Sequence, residues 1–355
     1  MIQTDNKPLP PFSCVHSLEL PELLYDLNCT IAISTYQAGK LIFIGSNDRK
    51  KLVQLPRNFK KAMGVALKGE KLALATQNEV VVFKGSSPLA PTYPKQPMTY
   101  DSLYVPRSVY YTGEIDIHDL EWINDEIWAV NTRFSCLSKI NQEFSFEPVW
   151  QPSFISSLTP DDRCHLNGLA VEDKKPKYVS VLGISDQAEG WRDSKLNGGA
   201  IIDVDSNSVL VDGLPMPHSP RIYNGKLYAL LSATGELIEV DRQTGTFKVL
   251  KKFNGFVRGM DRIDDYLFIG LSKIRETSSA FADMPIAKQS VFCGVVVLYL
   301  PTMSVTGYMK YENSVEEIYD VKILPNVRRP GILSHEAPEH RLALTTPDTT
   351  FWAHA

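Results

Sequence analysis

Two histidines, an asparagine, an arginine and a glutamate are the residues of this chain that could bind a metal ion or catalyse a reaction together. Each stands at or near the start of a short apolar run, at His118, Asn167, His218, Arg258 and Glu317. Two imidazoles and a carboxylate form an open ligand set for a divalent metal ion. A histidine beside an arginine could instead act as a general base next to an anion stabiliser. Either chemistry requires a fold that brings these distant positions together.

The segments that begin at His118, His218 and Arg258 are copies of one hairpin pattern. A further copy starts at Met63, and in all four copies a Leu or Ile stands nine residues after the start. The turn falls at the same place in each, at Gly69-Glu70, Asn124-Asp125, Asn224-Gly225 and Asp264-Asp265. Because Gly, Asn and Asp adopt positive φ at low cost, these pairs predict two-residue hairpin turns.

Two further copies and the N-terminal strands complete the pattern. HLNGLAVEDKKPKYVSVLG from His165 is a fifth copy with a longer, charged turn, and VEEIYDVKILP is a sixth that ends after one strand. The copies recur about every 40 to 60 residues, which leaves room for two more strands in each interval. Three unassigned strands precede Met63. The sequence therefore predicts an all-β fold, a six-bladed β-propeller with four-stranded antiparallel blades, closed by N-terminal strands that pair with the C-terminal strand.

The predicted propeller spans residues 28–325 as a single domain, between an N-terminal extension at 1–27 and a C-terminal tail at 326–355. The net charge is −4, and no long run of like charge indicates a nucleic-acid or membrane surface. The N-terminus lacks the features of a signal peptide, and the five cysteines are scattered. We therefore expect a soluble, cytoplasmic protein without nucleic-acid or membrane partners.

The first residues of the innermost strands of a propeller face one another across the mouth of a central channel, where ligands commonly bind. The repeat register predicts that the ring at this mouth consists of Met63, His118, Asn167, His218, Arg258 and Glu317. His165 lies two residues before Asn167, in the loop that leads into the strand. The register therefore ranks Asn167 above His165 as a site residue.

Three functions of this ring are compatible with the sequence. His118, His218 and Glu317, with Asn167, could hold one divalent metal ion for metal-assisted, lactonase-like hydrolysis. Without a metal ion, catalysis by His118 or His218 as a general base beside Arg258 would suit an isomerase or a lyase. Alternatively, the protein is a non-catalytic scaffold that binds a ligand or a protein partner.

Loops between the second and third strands reach the same face and add polar and aromatic side chains to it. Two of these loops are long, and long structured loops tend to be functional. The planar fork of arginine suits a carboxylate or phosphate, so we expect an anionic small molecule as the partner. The predicted ligand-binding residues are Tyr36, Gln37, Asn131, Arg133, His165, Trp191, Arg192, Arg221 and Arg275.

Motifs along nearly the whole chain resemble a known family. They include STYQAGKL, HDLEW, VNTRFSCL, SFISSLTPDDRCHLNGLA, GLPMPHSPR and EEIYDVKILP. In this order, over about residues 15–330, they resemble an uncharacterised bacterial family of six-bladed propellers known as a conserved domain of unknown function. NGLA at Asn167 is also similar to an asparagine motif of the gluconolactonase and regucalcin-like propellers. That weaker resemblance implies a bound divalent cation, with Glu317 as an acidic ligand, although His118, His218 and Arg258 depart from the ligand set of those propellers.

Overall fold

The computed structural model describes residues 8–274 and 284–353, and short antiparallel strands dominate this part of the chain. The N-terminal elements are β1 (Cys14–His16), α1 (Glu19–Asp26), β2 (Cys29–Thr35), β3 (Lys40–Gly45) and β4 (Val53–Asn58). Blade 1 follows with β5 (Val65–Lys68), β6 (Lys71–Ala75), β7 (Glu79–Ser86) and β8 (Ser102–Tyr111). Blade 2 consists of β9 (Ile117–Ile123), β10 (Glu126–Asn131), β11 (Cys136–Ile140) and β12 (Glu147–Trp150).

Three more blades and a short C-terminal region complete the chain. Blade 3 contains β13 (Leu166–Glu172), β14 (Lys175–Val181), β15 (Gly199–Asp203) and β16 (Ser208–Leu214). Blade 4 contains β17 (Pro217–Tyr223), β18 (Lys226–Leu231), β19 (Glu236–Val240) and β20 (Phe247–Lys252), and blade 5 contains β21 (Phe256–Ile263), β22 (Tyr266–Ser272), β23 (Gly294–Tyr299) and β24 (Ser304–Tyr311). The last strands are β25 (Asp320–Pro325), β26 (Pro330–Ile332), β27 (Ala343–Thr345) and β28 (Thr350–Trp352), and 3-10 helices span Ala90–Thr92, Gly190–Ser194 and Pro338–Leu342.

The sixth blade is formed by both ends of the propeller, in the strand order β25-β2-β3-β4. The innermost strand β25 pairs with β2 in an antiparallel register that joins Cys29 to Pro325 and Ser34 to Asp320. The six innermost strands contact one another in the circular order β5, β9, β13, β17, β21 and β25, and β25 contacts β5. The six-bladed propeller and its closure by strands from both ends of the chain are therefore confirmed.

Two blades carry a fifth strand, which the four-stranded pattern did not predict. β1 pairs with β24 at the outer edge of blade 5, and β26 pairs in parallel with β8 at the outer edge of blade 1. These additions cover the unpaired backbone groups of two edges that would otherwise be open to other chains. Among the described residues, no helix is long and apolar enough to cross a membrane.

The apolar core is divided into layers between adjacent blades. One buried cluster of aliphatic and aromatic side chains lies between each neighbouring pair of blades all round the ring. The two middle strands of blade 6, β2 and β3, are buried on both faces and consist almost entirely of apolar or small residues. This packing fixes the innermost strands rigidly around the channel.

The predicted two-residue turns are present, and the fifth copy differs from its prediction. Glu172 pairs with Lys175, so its turn contains only Asp173 and Lys174, both at positive φ. The turn is not longer, because an irregularity of the register after Ala170 absorbs the additional residue.

Glycine alternates with a hydrogen-bonding residue on the innermost strands, just after the ring of the mouth. Asp119, Ser219 and Asp320, on blades 2, 4 and 6, each accept a hydrogen bond from a backbone N–H of the next blade. The residues at the same position in blades 1, 3 and 5 are Gly64, Gly168 and Gly259. A Cβ on Gly168 would lie 2.4 Å from Pro220 Cδ of blade 4, so the close approach of the strands requires glycine there.

Candidate active site

The hydrogen bonds of the innermost strands correct the predicted ring at one position. Asp320 Oδ1 accepts a hydrogen bond from the N–H of Val321, just as Asp119 Oδ1 accepts one from the N–H of Leu120. The residue equivalent to His118 is therefore Tyr319, and Glu317 lies two residues earlier, at the position that His165 has in blade 3. The six ring residues are Met63, His118, Asn167, His218, Arg258 and Tyr319.

Two adjoining cavities open at the mouth, and they share Tyr36, His165, Arg192 and Arg258. The first cavity has a volume of about 350 Å³. Its remaining lining residues are Gln37, Leu182, Trp191, Met216, His218, Phe256, Ser272, Lys273, Ile274, Glu317 and Ile318. The second has a volume of about 530 Å³ and is also lined by Lys61, Met63, Asp116, His118, Arg133, Pro160, Asp161, Asp162, Ala188, Glu189 and Tyr319. These volumes lie within or near the range of small-molecule sites.

The two ring histidines have the same hydrogen-bond pattern on different blades. His118 Nδ1 lies 3.1 Å from the carbonyl oxygen of Asp116, and His218 Nδ1 lies 3.0 Å from that of Met216. A hydroxyl lies still closer to each Nδ1, Thr132 Oγ1 at 2.7 Å from His118 and Ser232 Oγ at 2.8 Å from His218. Each hydroxyl donates to a backbone carbonyl oxygen and therefore accepts from Nδ1, so Nδ1 carries the proton and Nε2 of each neutral ring has a lone pair. Burial, together with the positive charge of Arg258, lowers the pKa of both imidazoles well below the usual value. Both rings are therefore neutral near pH 7.

His165 lies in the wall of both cavities, which reverses its predicted rank relative to Asn167. Its Nδ1 is 2.8 Å from Asp162 Oδ2, and the same oxygen accepts a hydrogen bond from Trp191 Nε1 at 3.0 Å. The imidazole packs against Trp191, with ring centroids 4.3 Å apart, and meets the edge of His118 at 4.6 Å. A carboxylate and two aromatic rings thus fix the orientation of His165.

Asn167 occupies its predicted ring position but lines neither cavity. Its Oδ1 accepts a hydrogen bond from Ser180 Oγ at 2.6 Å, and the side chain is 4% exposed. The register located Asn167 correctly along the strand, but the amide faces its own blade. The loop residue two positions earlier is the one that reaches the mouth.

Arg258 and Glu317 are charged residues of opposite sign that line the first cavity. The guanidinium of Arg258 lies over the ring of Tyr319, with Cζ 3.5 Å from the ring centroid. Glu317 Oε2 accepts hydrogen bonds from the N–H groups of Tyr36 and Gln37. Among the described residues, Arg258 Nη2 and Glu317 Oε1 are buried without a hydrogen-bond partner. Burial raises the pKa of Glu317 to about 6, although Arg258 and the two N–H groups act in the opposite direction.

The structure brings most of the predicted ligand-binding residues to the mouth. Tyr36, Gln37, His165, Trp191 and Arg192 line the first cavity, and Arg133 lines the second. Arg192 also pairs with Glu189 at 2.8 Å. Arg275 lies outside the described residues.

Arg221 and Asn131 do not reach the mouth as the sequence predicted. Both side chains are buried and line neither cavity. Arg221 Nη1 lies 2.8 Å from Asp119 Oδ2 and 2.9 Å from the carbonyl oxygen of Leu169. Asn131 Oδ1 accepts a hydrogen bond from the N–H of Phe134 and so closes the turn after β10. The ion pair of Arg221 and the turn contact of Asn131 both lie within the fold, which explains why neither side chain reaches a cavity.

Sequence reasoning placed Lys273 at the rim but missed Tyr319 and Asp162. Tyr319 was missed because the sixth copy lacks the second strand that would have fixed its register. Asp162 lies outside the repeat, in a loop. Only the short spacing between Asp162 and His165 could have indicated that a carboxylate orients the imidazole.

The predicted metal ligands are not gathered around one point. In the part of the chain that the structure describes, no group of three or more His, Cys, Asp or Glu side chains is placed to hold an ion. His118 and His218 line different cavities, Asn167 lines neither, and Glu317 already accepts two backbone N–H groups. Binding of a divalent metal ion stays a prediction that elemental analysis of purified protein would test.

Solved structures of other proteins share this fold. A chain in the crystal structure of a nidogen–laminin complex is 9% identical with a TM-score of 0.53, and the alignment covers 84% of this chain and 99% of that chain. A protein of unknown function from Bacteroides caccae is 10% identical with a TM-score of 0.52, over 83% of this chain and 98% of that chain. At such identities the likeness concerns the fold alone.

Sequence comparison identifies the family. No curated protein matches this chain. A family model described as "Domain of unknown function (DUF4915)" matches residues 18–333, which include all six blades, so the chain belongs to the DUF4915 family.

Proposed function

We propose that the mouth of the propeller binds an anionic small molecule and that Arg258 is its principal charge partner. The observation that carries this proposal is the state of Arg258 among the described residues. Its guanidinium borders both cavities, lies over the ring of Tyr319, and has a buried Nη2 without a partner. An unpaired buried donor of a charged group costs free energy in the empty protein, and a bound carboxylate or phosphate would recover that free energy.

The other charges of the first cavity support the same conclusion. Lys273 lines the cavity and forms no ion pair among the described residues, whereas Arg192 is paired with Glu189. Glu317 carries the opposing charge. His218 is neutral and offers a lone pair at Nε2, which suits a hydroxyl or amide donor of the ligand. The site thus combines donors for an anion with an acceptor for a polar group beside it.

The experiment is a screen of acidic metabolites by thermal shift, followed by isothermal titration calorimetry of the compounds that stabilise the protein. Arg258→Gln should weaken binding of these anions at least tenfold without lowering the melting temperature by more than a few degrees. Arg262→Gln is the matched control, because Arg262 also lies over a tyrosine ring and is on the same strand, but it lines neither cavity. Equal losses in the two variants would contradict the proposal. A screen without any anion that binds would favour a scaffold for a protein partner.

Acid–base catalysis on the bound anion is a second candidate, favoured by the contact between Asp162 and His165. With Nδ1 held by the carboxylate, Nε2 is the ring nitrogen that could accept a proton from a ligand, and Arg258 could stabilise the negative charge that develops. A suitable probe is 2-oxohexanoate in D₂O, with exchange of the protons beside the carbonyl followed by NMR.

The expected result is enzyme-dependent exchange that His165→Gln abolishes while binding is kept, and that Asp162→Asn slows. Exchange that is unchanged in His165→Gln would remove this residue from the chemistry. Bound probe without exchange would leave a binding protein.

A further inference from the structure

The first cavity has two chemically different halves, which limits the ligands that fit it. Leu182, Trp191, Met216, Phe256 and Ile274 line one half, and all five belong to a single apolar cluster at the top of blades 3 to 5. This cluster is separate from the layers between blades. It is therefore an apolar wall that the stacking of the blades does not itself require.

The charged part of the lining is contributed by blades 5 and 6. Arg258 and Lys273 supply two positive charges, and Glu317 supplies one negative charge when it is ionised. Arg192 also lines the cavity, but Glu189 balances its charge, so the net charge of the lining is +1. Burial keeps His218 neutral by lowering its pKa, so this ring adds no charge. One net positive charge is complementary to a monoanion and less suited to a dianion, whose second charge would face Glu317.

Resting on the proposed function, we infer that the ligand of the first cavity is an amphipathic monocarboxylate, with its carboxylate on Arg258 and an apolar body against the wall of Leu182, Met216 and Phe256. The volume of about 350 Å³ accommodates a small ligand of this kind. A sugar phosphate would place hydroxyl groups against side chains that cannot hydrogen-bond with them, which costs free energy. The wall thus selects the body of the ligand, and Arg258 selects its charged end.

The test uses acetate, butyrate and hexanoate at pH 7, with hexanamide as the uncharged match of hexanoate and glucose 6-phosphate as a polar dianion. Dissociation constants are measured by ligand-observed NMR. We expect affinity to rise about fourfold for each added methylene, since burial of one methylene contributes about 0.8 kcal/mol. Hexanamide and glucose 6-phosphate should bind at least tenfold more weakly than hexanoate. In Arg258→Gln, hexanoate should fall to the level of hexanamide, and in Arg262→Gln it should not.

Two outcomes separate this inference from the proposed function. If glucose 6-phosphate binds most tightly and Arg258→Gln abolishes its binding, the mouth binds anions but the inferred class of ligand is wrong. If none of the anions binds the unsubstituted protein, both are wrong. A series in which affinity does not depend on chain length would overturn the role of the apolar wall, even where Arg258 is required.

Discussion

Arg221 and Arg258 lie on neighbouring innermost strands, and the contrast between them separates the interior of the channel from its mouth. Arg221 is 6% exposed and donates to Asp119 and to two backbone carbonyl oxygens. Arg258 lies over an aromatic ring and, among the described residues, has a buried nitrogen without a partner. The same type of side chain stabilises the fold in one place and is left available in the other. Arg221 Nε is also buried without a hydrogen-bond partner, so the difference lies in ion pairing: among the described residues, Arg221 is paired with the carboxylate of Asp119 and Arg258 has no ion pair.

The paired charges of the interior connect alternate blades across the channel. Arg221 of blade 4 reaches Asp119 of blade 2, and Lys322 of blade 6 lies 2.8 Å from Glu121 of blade 2. Such contacts are costly to break, because the charge left behind is buried and unpaired. At the mouth, by contrast, the charges border cavities that a ligand can fill.

The largest effect is expected when the interior pair is broken. Arg221→Gln should lower the free energy of unfolding by about 3–5 kcal/mol, since it leaves the Asp119 carboxylate buried without its cation. Urea denaturation monitored by tryptophan fluorescence would measure the loss. Arg258→Gln is the comparison and should cost less than about 1 kcal/mol. Similar losses in the two variants would show that both arginines are structural and would remove the contrast.

The next largest effect on stability is expected at Gly259, which follows Arg258 on the innermost strand of blade 5. Its φ is +76°, and a Cβ there would lie 2.7 Å from the backbone nitrogen of Val321. Gly259→Ala should cost about 1–3 kcal/mol through overpacking and should also weaken anion binding by displacing Arg258. Gly213→Ala is a control with a similar φ of +72° and no atom near the added Cβ. If the two variants are equally stable, the packing between blades does not determine the position of Arg258.

A smaller effect should appear in the pH dependence of binding. The pKa of Glu317 is raised from 4.5 to about 6, so this carboxyl is protonated in the folded protein below about pH 6. Loss of its negative charge beside Arg258 and Lys273 should strengthen binding of hexanesulfonate, which stays ionised, several-fold as the pH falls from 7 to 5. His165 and His218 also face the cavity, so calorimetry of Glu317→Gln isolates the carboxyl. Glu317→Gln should bind hexanesulfonate tightly at pH 7, and its affinity should not change near pH 6. A change of affinity that persists in this variant would be assigned to the imidazoles.

The smallest effect on stability is expected at Lys273. This residue is partly exposed at the mouth and forms no ion pair among the described residues, so Lys273→Gln should change the free energy of unfolding by less than about 0.5 kcal/mol. Binding of hexanoate should nevertheless weaken a few-fold because the positive half of the cavity loses one charge. Unchanged affinity would leave Arg258 as the charge partner and place Lys273 outside the site.

The fold could be predicted from the sequence because the patterns that indicate it lie within short segments of the chain. Two-residue turns and the period of the apolar residues repeat within each hairpin, and five complete copies made the register visible. The sixth copy has no second strand, so Glu317 was assigned to the ring in place of Tyr319. Arg221 was assigned to the ligand because the irregular register of β17 between His218 and Arg221 determines the direction of the side chain, and a sequence does not reveal such a bulge. The contact with Asp119 joins residues 102 positions apart, and no local pattern indicates it.

The pairing of β2 with β25 has a consequence for the order of events during synthesis. Cys29 and Pro325 are partners in one sheet, although nearly the whole propeller separates them along the chain. A nascent chain therefore carries an apolar strand with an open edge until its last blade strand has been made, and contacts of such long range form slowly. Until then, β2 can pair with strands of other chains, so the period before ring closure is when aggregation competes most strongly with folding.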